Sequence, residues 1–179
     1  MAAVEPWQRA EIPGPTKGFA IPKPEVAVAL IRRAKRPILI VGHRASEEVL
    51  DQAKLVDYAA EVAEAGGIPV ASSGSSFTEL KKRGIQVSLM SAVEAAGRLV
   101  DPSWKGLNGL GPHDLALFMG LPYYVEWVIL SGIKHFSNVK TMSLSRFYQP
   151  HASWSFSNLN LEEWSKSLKA IIKGLRSEK

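Results

Sequence analysis

Four segments of the chain carry the residues best suited to bind a ligand, and each follows a predicted strand. They offer backbone N–H groups, serine hydroxyls and two arginines, a donor set that suits a phosphate or pyrophosphate with a flat ring attached. In an open parallel sheet, such groups meet at the carboxyl ends of the strands. The cofactor-binding residues that we predict are Gly42, His43, Arg44, Ser72, Ser73, Gly74, Ser75, Gly120 and Arg146.

Each of these features also has a simpler interpretation. His43 and Arg44 could be solvated residues at a strand end, the Ser/Gly segment a flexible connection, and Arg146 the partner of a carboxylate of its own chain. No G-x-G-x-x-G follows the first strand, no G-x-x-x-x-G-K-[ST] occurs, and "GLNGLG" at 106–111 has the wrong spacing. A nucleotide would therefore have to be held by dispersed contacts.

We predict no catalytic residue and no metal ligand. The four histidines are far apart in the sequence without metal-ligand spacing, and no serine lies in a G-x-S-x-G motif. The chain has no cysteine, which excludes disulfides, thiolate catalysis and an iron–sulfur cluster held by this chain alone. The acidic pairs at 47–48 and 162–163 are expected in the first turns of helices.

Length and composition indicate an ordinary globular protein. The chain has 179 residues, enough for one domain with a hydrophobic core, and a formal net charge of +5. Its basic residues form no patch interleaved with aromatic residues, so we expect no nucleic-acid binding. We see no leader and no long apolar run, so we expect neither a signal peptide nor a membrane span. The lack of cysteine favours a reducing, cytoplasmic setting.

Hydrophobic periodicity and turn residues predict alternating strands and helices. A helix begins at Pro24 and stops before Pro37, and Ser46 is predicted to cap a long helix that ends at Gly66 and Gly67. A loop covers 101–114, and 152–156 reads as a half-buried strand whose serines face outward. Further strands are predicted at 38–41, 68–71, 86–90, 115–119 and 139–144, and further helices at 77–83, 91–100, from Pro122, and from Asn160 with Glu163.

This alternation predicts an α/β fold with three layers. We expect a mostly parallel, Rossmann-like sheet of five or six strands, with helices on both faces, over residues 24–179. Residues 1–24 hold five of the eleven prolines, and residues 1–23 form a proline-rich N-terminal arm. The arm could lie over its own domain or reach a partner chain.

Two stretches resemble a known nucleotide-binding domain. The segments "PEVAVALIRRAKRPILIVG" and "EVAEAGGIPVASS" are similar to the central domain of thiamine-diphosphate enzymes such as acetohydroxyacid synthase. That resemblance implies a DHS-like NAD/FAD-binding domain, which in some members holds the ADP half of FAD. The G-D-G motif of the domains that bind thiamine diphosphate is missing.

A second resemblance spans almost the whole chain. The proline-rich head, "RPILIVG", "GIPVASSGSS", "LALFMGLPYY" and the last helix with its tryptophan resemble the epsilon subunit of the archaeal carbon monoxide dehydrogenase/acetyl-CoA decarbonylase-synthase complex. The resemblance implies a cytoplasmic, non-catalytic accessory subunit in a hetero-oligomer, with homo-oligomers when isolated. Its partner would be the large nickel–iron–sulfur alpha subunit, which it would stabilise while assisting electron transfer to FAD.

Two alternatives to the accessory subunit stay open. The chain could be a stand-alone oxidoreductase that binds FAD or NAD, or a purely structural subunit with an empty nucleotide pocket. The resemblance carries no site residues of its own, so the predicted site rests on the strand ends alone.

Overall fold

The computed structural model describes residues 17–177. A seven-stranded parallel sheet lies at its centre, and a two-stranded antiparallel hairpin stands beside it. The strands are β1 (Phe19–Ala20), β2 (Pro37–Val41), β3 (Val49–Leu50), β4 (Ala53–Lys54), β5 (Val70–Ser72), β6 (Val87–Leu89), β7 (Leu115–Met119), β8 (Lys140–Ser143) and β9 (Trp154–Ser155). The helices are α1 (Pro24–Arg33), α2 (Leu55–Gly66), α3 (Gly74–Lys82), α4 (Ala92–Val100), α5 (Tyr123–Phe136) and α6 (Leu161–Arg176).

The strand order of the sheet is β1-β9-β8-β7-β2-β5-β6. From β2 the chain moves outward to β5 and β6, then crosses back to β7 on the other side of β2 and continues to β8 and β9. The order reverses between β2 and β7, where Ile40 is in register with Phe118 and Val41 with Met119. This switch point is where a Rossmann-like sheet holds its ligand.

The predicted fold class is confirmed, with one more strand than expected. The added strand is β1, which pairs in parallel with β9 at the edge of the sheet. Its two residues belong to the predicted arm, so the end of that arm is part of the sheet. Residues 1–16 lie outside the described residues, and the domain boundary at residue 24 stays a prediction.

Two apolar layers sandwich the sheet because successive side chains of a strand point to opposite faces. In β2, Leu39 and Val41 face α1, α2 and α6, whereas Ile38 and Ile40 face α4 and α5. Helices α1 and α6 also touch each other, since Arg32 donates from Nη2 to the Gly174 carbonyl at 2.5 Å. Helices therefore cover both faces, as predicted.

The predicted long helix from Ser46 is wrong at its start. Residues 43–46 form a 3-10 turn and β3–β4 form a hairpin, so α2 begins only at Leu55. Asp51 and Gln52 take positive φ angles of 45° and 70° in the hairpin turn, which a helix cannot contain. The Asp57 carboxylate accepts from the Lys54 N–H at 2.8 Å and supplies the N-terminal cap.

Two smaller predictions near the sheet edge are also corrected. Helix α3 begins at Gly74, three residues before its predicted start, so the predicted Ser/Gly loop is a helix N-terminus. Strand β9 is only two residues long, and Ser155 is fully buried instead of facing outward. Its hydroxyl accepts from the Gln149 N–H at 3.0 Å and donates to the Phe156 carbonyl, which satisfies it inside the protein.

The loop at 101–114 is anchored by one buried histidine. His113 Nε2 accepts from the Leu107 N–H at 3.1 Å, so Nδ1 carries the proton and donates to the Arg36 carbonyl at 3.0 Å. Burial lowers the pKa of His113, which keeps the ring neutral. The histidine thus ties the loop to the chain just before β2.

Candidate functional site at the carboxyl edge of the sheet

The predicted site residues meet at one edge of the sheet, but they form two groups. Arg44, Gly120 and Arg146 line a recess at the ends of β2, β7 and β8, which we call the strand-end recess. The serines of the second group lie beyond the 3-10 turn, where Ser75 touches Ser46. Parallel strands bring their carboxyl ends together, which accounts for this convergence.

The switch point itself is closed by the chain. The Gly42 N–H donates to the Met119 carbonyl at 2.9 Å, and the Arg44 N–H donates to the Gly120 carbonyl at 3.0 Å. A Cβ on Gly42 would lie 2.3 Å from the Gly120 oxygen, and Ala45 is fully buried against Gly120. These backbone donors are therefore bonded within the chain rather than presented to a phosphate.

The serine hydroxyls next to this turn are also bonded to it. Ser72 donates to the Val41 carbonyl at 2.9 Å, and Ser76, the residue after the predicted segment, donates to the Gly42 carbonyl at 2.8 Å. Ser46 and Ser75 share a hydrogen bond of 2.6 Å. The segment thus fixes the end of β2, and Ser73 stands at the N-cap of α3 without a side-chain capping bond.

The floor of the strand-end recess is a buried carboxyl that the sequence analysis missed. Glu126 is fully buried, and its two oxygens accept from the Ser143 hydroxyl at 2.5 Å and the Ser145 hydroxyl at 2.7 Å. Burial raises the pKa of Glu126 from 4.5 to about 7, against the lowering effect of the two serines. A signal was present, because Glu126 shares the helical spacing of the buried residues Ile129, Leu130 and Ile133.

The side chain of Gln149 is a second buried polar group in the recess, and only one of its two polar atoms is hydrogen-bonded. Gln149 is fully buried, and its Nε2 donates to the Tyr123 carbonyl at 3.1 Å. Its Oε1 accepts no hydrogen bond from the described residues. Buried acceptors are usually hydrogen-bonded, so Gln149 Oε1 is an exception within the described residues.

The rim of the recess carries Arg44 and Arg146 together with the carboxylate of Glu48. The Arg146 guanidinium lies 4.3 Å from the centre of the Phe147 ring, and Arg44 is exposed. The recess holds only about 60 Å³, whereas pockets for small ligands hold about 300 to 1,000 Å³. An enclosed dinucleotide does not fit there, and contact of Arg44 and Arg146 with the phosphates of FAD stays a prediction.

Two other features concern residues 17–177. In that range, no group of three or more His, Cys, Asp or Glu side chains is placed to hold a metal ion. None of the helices there has both the length and the apolar character needed to cross a membrane.

Comparison with known proteins gives a consistent result. The chain is 32% identical over 167 residues to subunit epsilon of the acetyl-CoA decarbonylase/synthase complex of Methanothermobacter thermautotrophicus, covering 93% of each chain. It is 41% identical over 140 residues to subunit epsilon 1 of Archaeoglobus fulgidus, covering 76% of this chain and 73% of the relative. Residues 1–172 match a protein family as well, and the resemblance seen in the sequence is confirmed. The chain belongs to the family described as CO dehydrogenase beta subunit/acetyl-CoA synthase epsilon subunit.

Proposed function

We propose that this chain is a non-catalytic accessory subunit of an acetyl-CoA decarbonylase/synthase complex, in which it stabilises the large nickel–iron–sulfur alpha subunit. The observation that carries this proposal is the closed switch point. The place where this fold usually holds its ligand is occupied by the chain's own turn at 43–46, with Ala45 packed against Gly120. We therefore expect the subunit to act through surface contacts with its partner rather than through a ligand held at the switch point.

A reconstitution experiment tests this proposal. The alpha subunit, alone and with an excess of the full chain, is held without oxygen at raised temperature while CO oxidation is sampled over time. We expect the chain to lengthen the half-life of the activity and leave the initial kcat per alpha subunit unchanged. A kcat that depends on the chain would contradict the non-catalytic role.

A second function, assistance of electron transfer to FAD, is favoured by the two arginines that line the strand-end recess. Arg44 and Arg146 line it with Glu48, and the Arg146 guanidinium lies over the Phe147 ring. Arginines bind phosphates in a bidentate manner, and an aromatic ring can stack on a flavin or adenine. In this proposal the partner subunit completes a surface site, since the recess itself is too small.

Calorimetric titration with FAD separates the two functions. The isolated chain is expected to give no binding heat, whereas the complex with the alpha subunit is expected to bind FAD. Replacing Arg44 or Arg146 with Ala should weaken that binding about 10-fold or more, and Arg33→Ala, an exposed arginine of α1, is the matched control. Equal affinity for all variants would remove the FAD role and leave the stabilising role in place.

The stand-alone oxidoreductase has a direct test. The isolated chain is mixed with NADH or NADPH and an artificial electron acceptor. Turnover above the background rate would replace the accessory role with an enzymatic one.

A further inference from the structure

The outer surface of α4 and α5 forms an apolar groove of about 480 Å³, which we call the α4–α5 face. Its exposed side chains are large, with Val93 67% exposed, Tyr124 72%, Val128 63% and Phe136 78%. Contiguous apolar surface of this kind on a water-facing helix pair marks an interaction site. The groove has no part in the strand-end recess described above.

One row of residues on α5 gives the face its shape. Tyr124, Val128, Gly132 and Phe136 follow one another at intervals of four, so they form a single ridge along the helix, notched at Gly132. A Cβ added at Gly132, or at Gly97 across the groove, would have no atom within 4 Å. Glycine disfavours a helix interior, and no contact within the described part of the chain requires it at either position.

This ridge is complementary to itself. A two-fold axis perpendicular to α5 at Gly132 would place Val128 of one helix against Phe136 of the other, because these residues lie four positions on either side of the glycine. The two notches would meet at the crossing point and let the helix backbones approach closely. We propose that two copies of this chain associate through the α4–α5 face, with their α5 helices crossing at Gly132.

Charge is compatible with a second copy on this face. The groove is lined without any charged side chain, and the nearby Glu94 and Arg98 of α4 already form an ion pair of 2.9 Å. Two chains with a net charge of +5 can therefore meet there without burying like charges.

The available area suits a weak, reversible dimer. Tyr124 and Phe136 are 72% and 78% exposed, so they offer roughly 300 Å² per copy at about 200 Å² for an aromatic side chain. The two exposed valines and the groove floor bring each copy close to roughly 500 Å². Two copies would then bury about 1,000 Å² in total, the size of a weak, reversible interface.

Sedimentation equilibrium of the full chain between about 1 and 200 µM tests the proposal, and we expect a reversible dimer in that range. Val128→Asp should weaken it roughly 30-fold or more because it buries a carboxylate against Phe136 of the second copy, next to the crossing point. Gly132→Leu should also weaken it by filling the notch, while its added helix propensity keeps the monomer folded. Leu110→Asp, an exposed apolar residue of the 101–114 loop, is the control and should leave the dimer intact.

The absence of cysteine makes a cross-linking test direct. Under mild oxidation, Gly132→Cys should form a disulfide-linked dimer, because a close crossing brings the two Cα atoms within disulfide range. Lys173→Cys, exposed on α6, should not do so. A wild-type chain that stays monomeric to 200 µM, or a dimer unaffected by Val128→Asp, overturns the proposal. Neither result touches the stabilising role, because these samples contain no alpha subunit.

Discussion

The carboxyl edge of the sheet and the α4–α5 face differ in what their side chains and backbone groups contact. At the edge, backbone amides and serine hydroxyls around β2 bond to the chain itself, and Gly42 and Gly120 allow the two strand ends to touch. On the α4–α5 face, large apolar side chains point into water and two helix glycines leave open notches. In both regions glycine permits a close approach, but at the edge the approaching group belongs to the same chain.

This contrast shows that the chain keeps a Rossmann-like fold without the open ligand gap at the switch point. A Rossmann-like sheet normally exposes its donors at the switch point and covers its helices with solvent-facing polar residues. Here the switch point is filled, and the exposed apolar surface lies on the outside of one helix layer. In our proposals, the α4–α5 face rather than the closed switch point provides a surface for protein contacts.

The sharpest test of the closed edge is Gly120→Ala. Gly120 has a φ of +71°, and its new Cβ would lie 2.7 Å from the Ala45 Cβ. Strain and clash together should lower the free energy of unfolding by about 3 to 4 kcal/mol in urea denaturation. Gly67→Ala is the control, since Gly67 has a φ of +61° but open space around it, and it should cost about 1 kcal/mol. Equal costs would mean that the contact with Ala45 is not tight.

Glu126 should make the edge sensitive to pH. Its pKa in the folded chain is about 7, above its ordinary 4.5, so the folded state holds this proton more tightly than the unfolded state does. The contribution of Glu126 to the free energy of unfolding is complete below pH 4.5 and is lost as pH rises toward 7. The free energy of unfolding should therefore fall by about 2 to 3 kcal/mol. Urea denaturation at pH 5 and pH 8 measures the change.

The variant Glu126→Gln isolates this effect. It cannot titrate, so the difference between wild type and variant removes the contribution of His113, whose lowered pKa gives a slope of opposite sign. Parallel stability curves for the two proteins between pH 5 and 8 would show that Glu126 does not titrate in that range.

A smaller effect is expected where the loop at 101–114 meets the sheet. His113→Ala removes the acceptor of the Leu107 N–H and the donor to the Arg36 carbonyl. We expect a loss of about 1 to 2 kcal/mol, together with faster amide exchange at Leu107 but not at Gly42. Unchanged exchange at Leu107 would contradict the anchoring role.

The smallest effect on stability should come from the α4–α5 face. Val128→Asp changes an exposed side chain, so the monomer should unfold within about 0.5 kcal/mol of wild type. Thermal unfolding at a concentration well below dimerisation measures this. A large loss would mean that Val128 belongs to the core, and the contrast between the two regions would fail.

Much of the fold could be predicted because its boundaries are marked locally. Prolines and glycines delimit α1, β2 and β7, and Asn160 with Glu163 forms the predicted capping box of α6, at 2.9 and 3.0 Å. The hairpin after β2 was missed because its turn uses Asp51 and Gln52, neither of them glycine, at positive φ. Its stretch of apolar residues also fits a helical period.

The sequence predicted where the candidate site lies, but not that the gap between the strand ends is closed. The rule for parallel strands put Gly42 and Gly120 at one edge, and they do meet there. That they touch, and so exclude a ligand from the gap, depends on the packing of Ala45, which no local pattern encodes. Glu126 was not among the predicted residues, because its burial and its bonds to Ser143 and Ser145 depend on how α5 packs against the end of β8.

The pairing of β1 with β9 restricts the order in which the domain can fold during synthesis. Phe19 pairs with Trp154, and Arg32 of α1 reaches Gly174 of α6, so the earliest described residues bond to some of the last. During synthesis, the β2–β7 core can form while the edge strand and α1 still wait for partners that have not been made. A nascent chain halted before residue 154 would therefore carry an unpaired strand and a half-covered helix until β9 and α6 have been made.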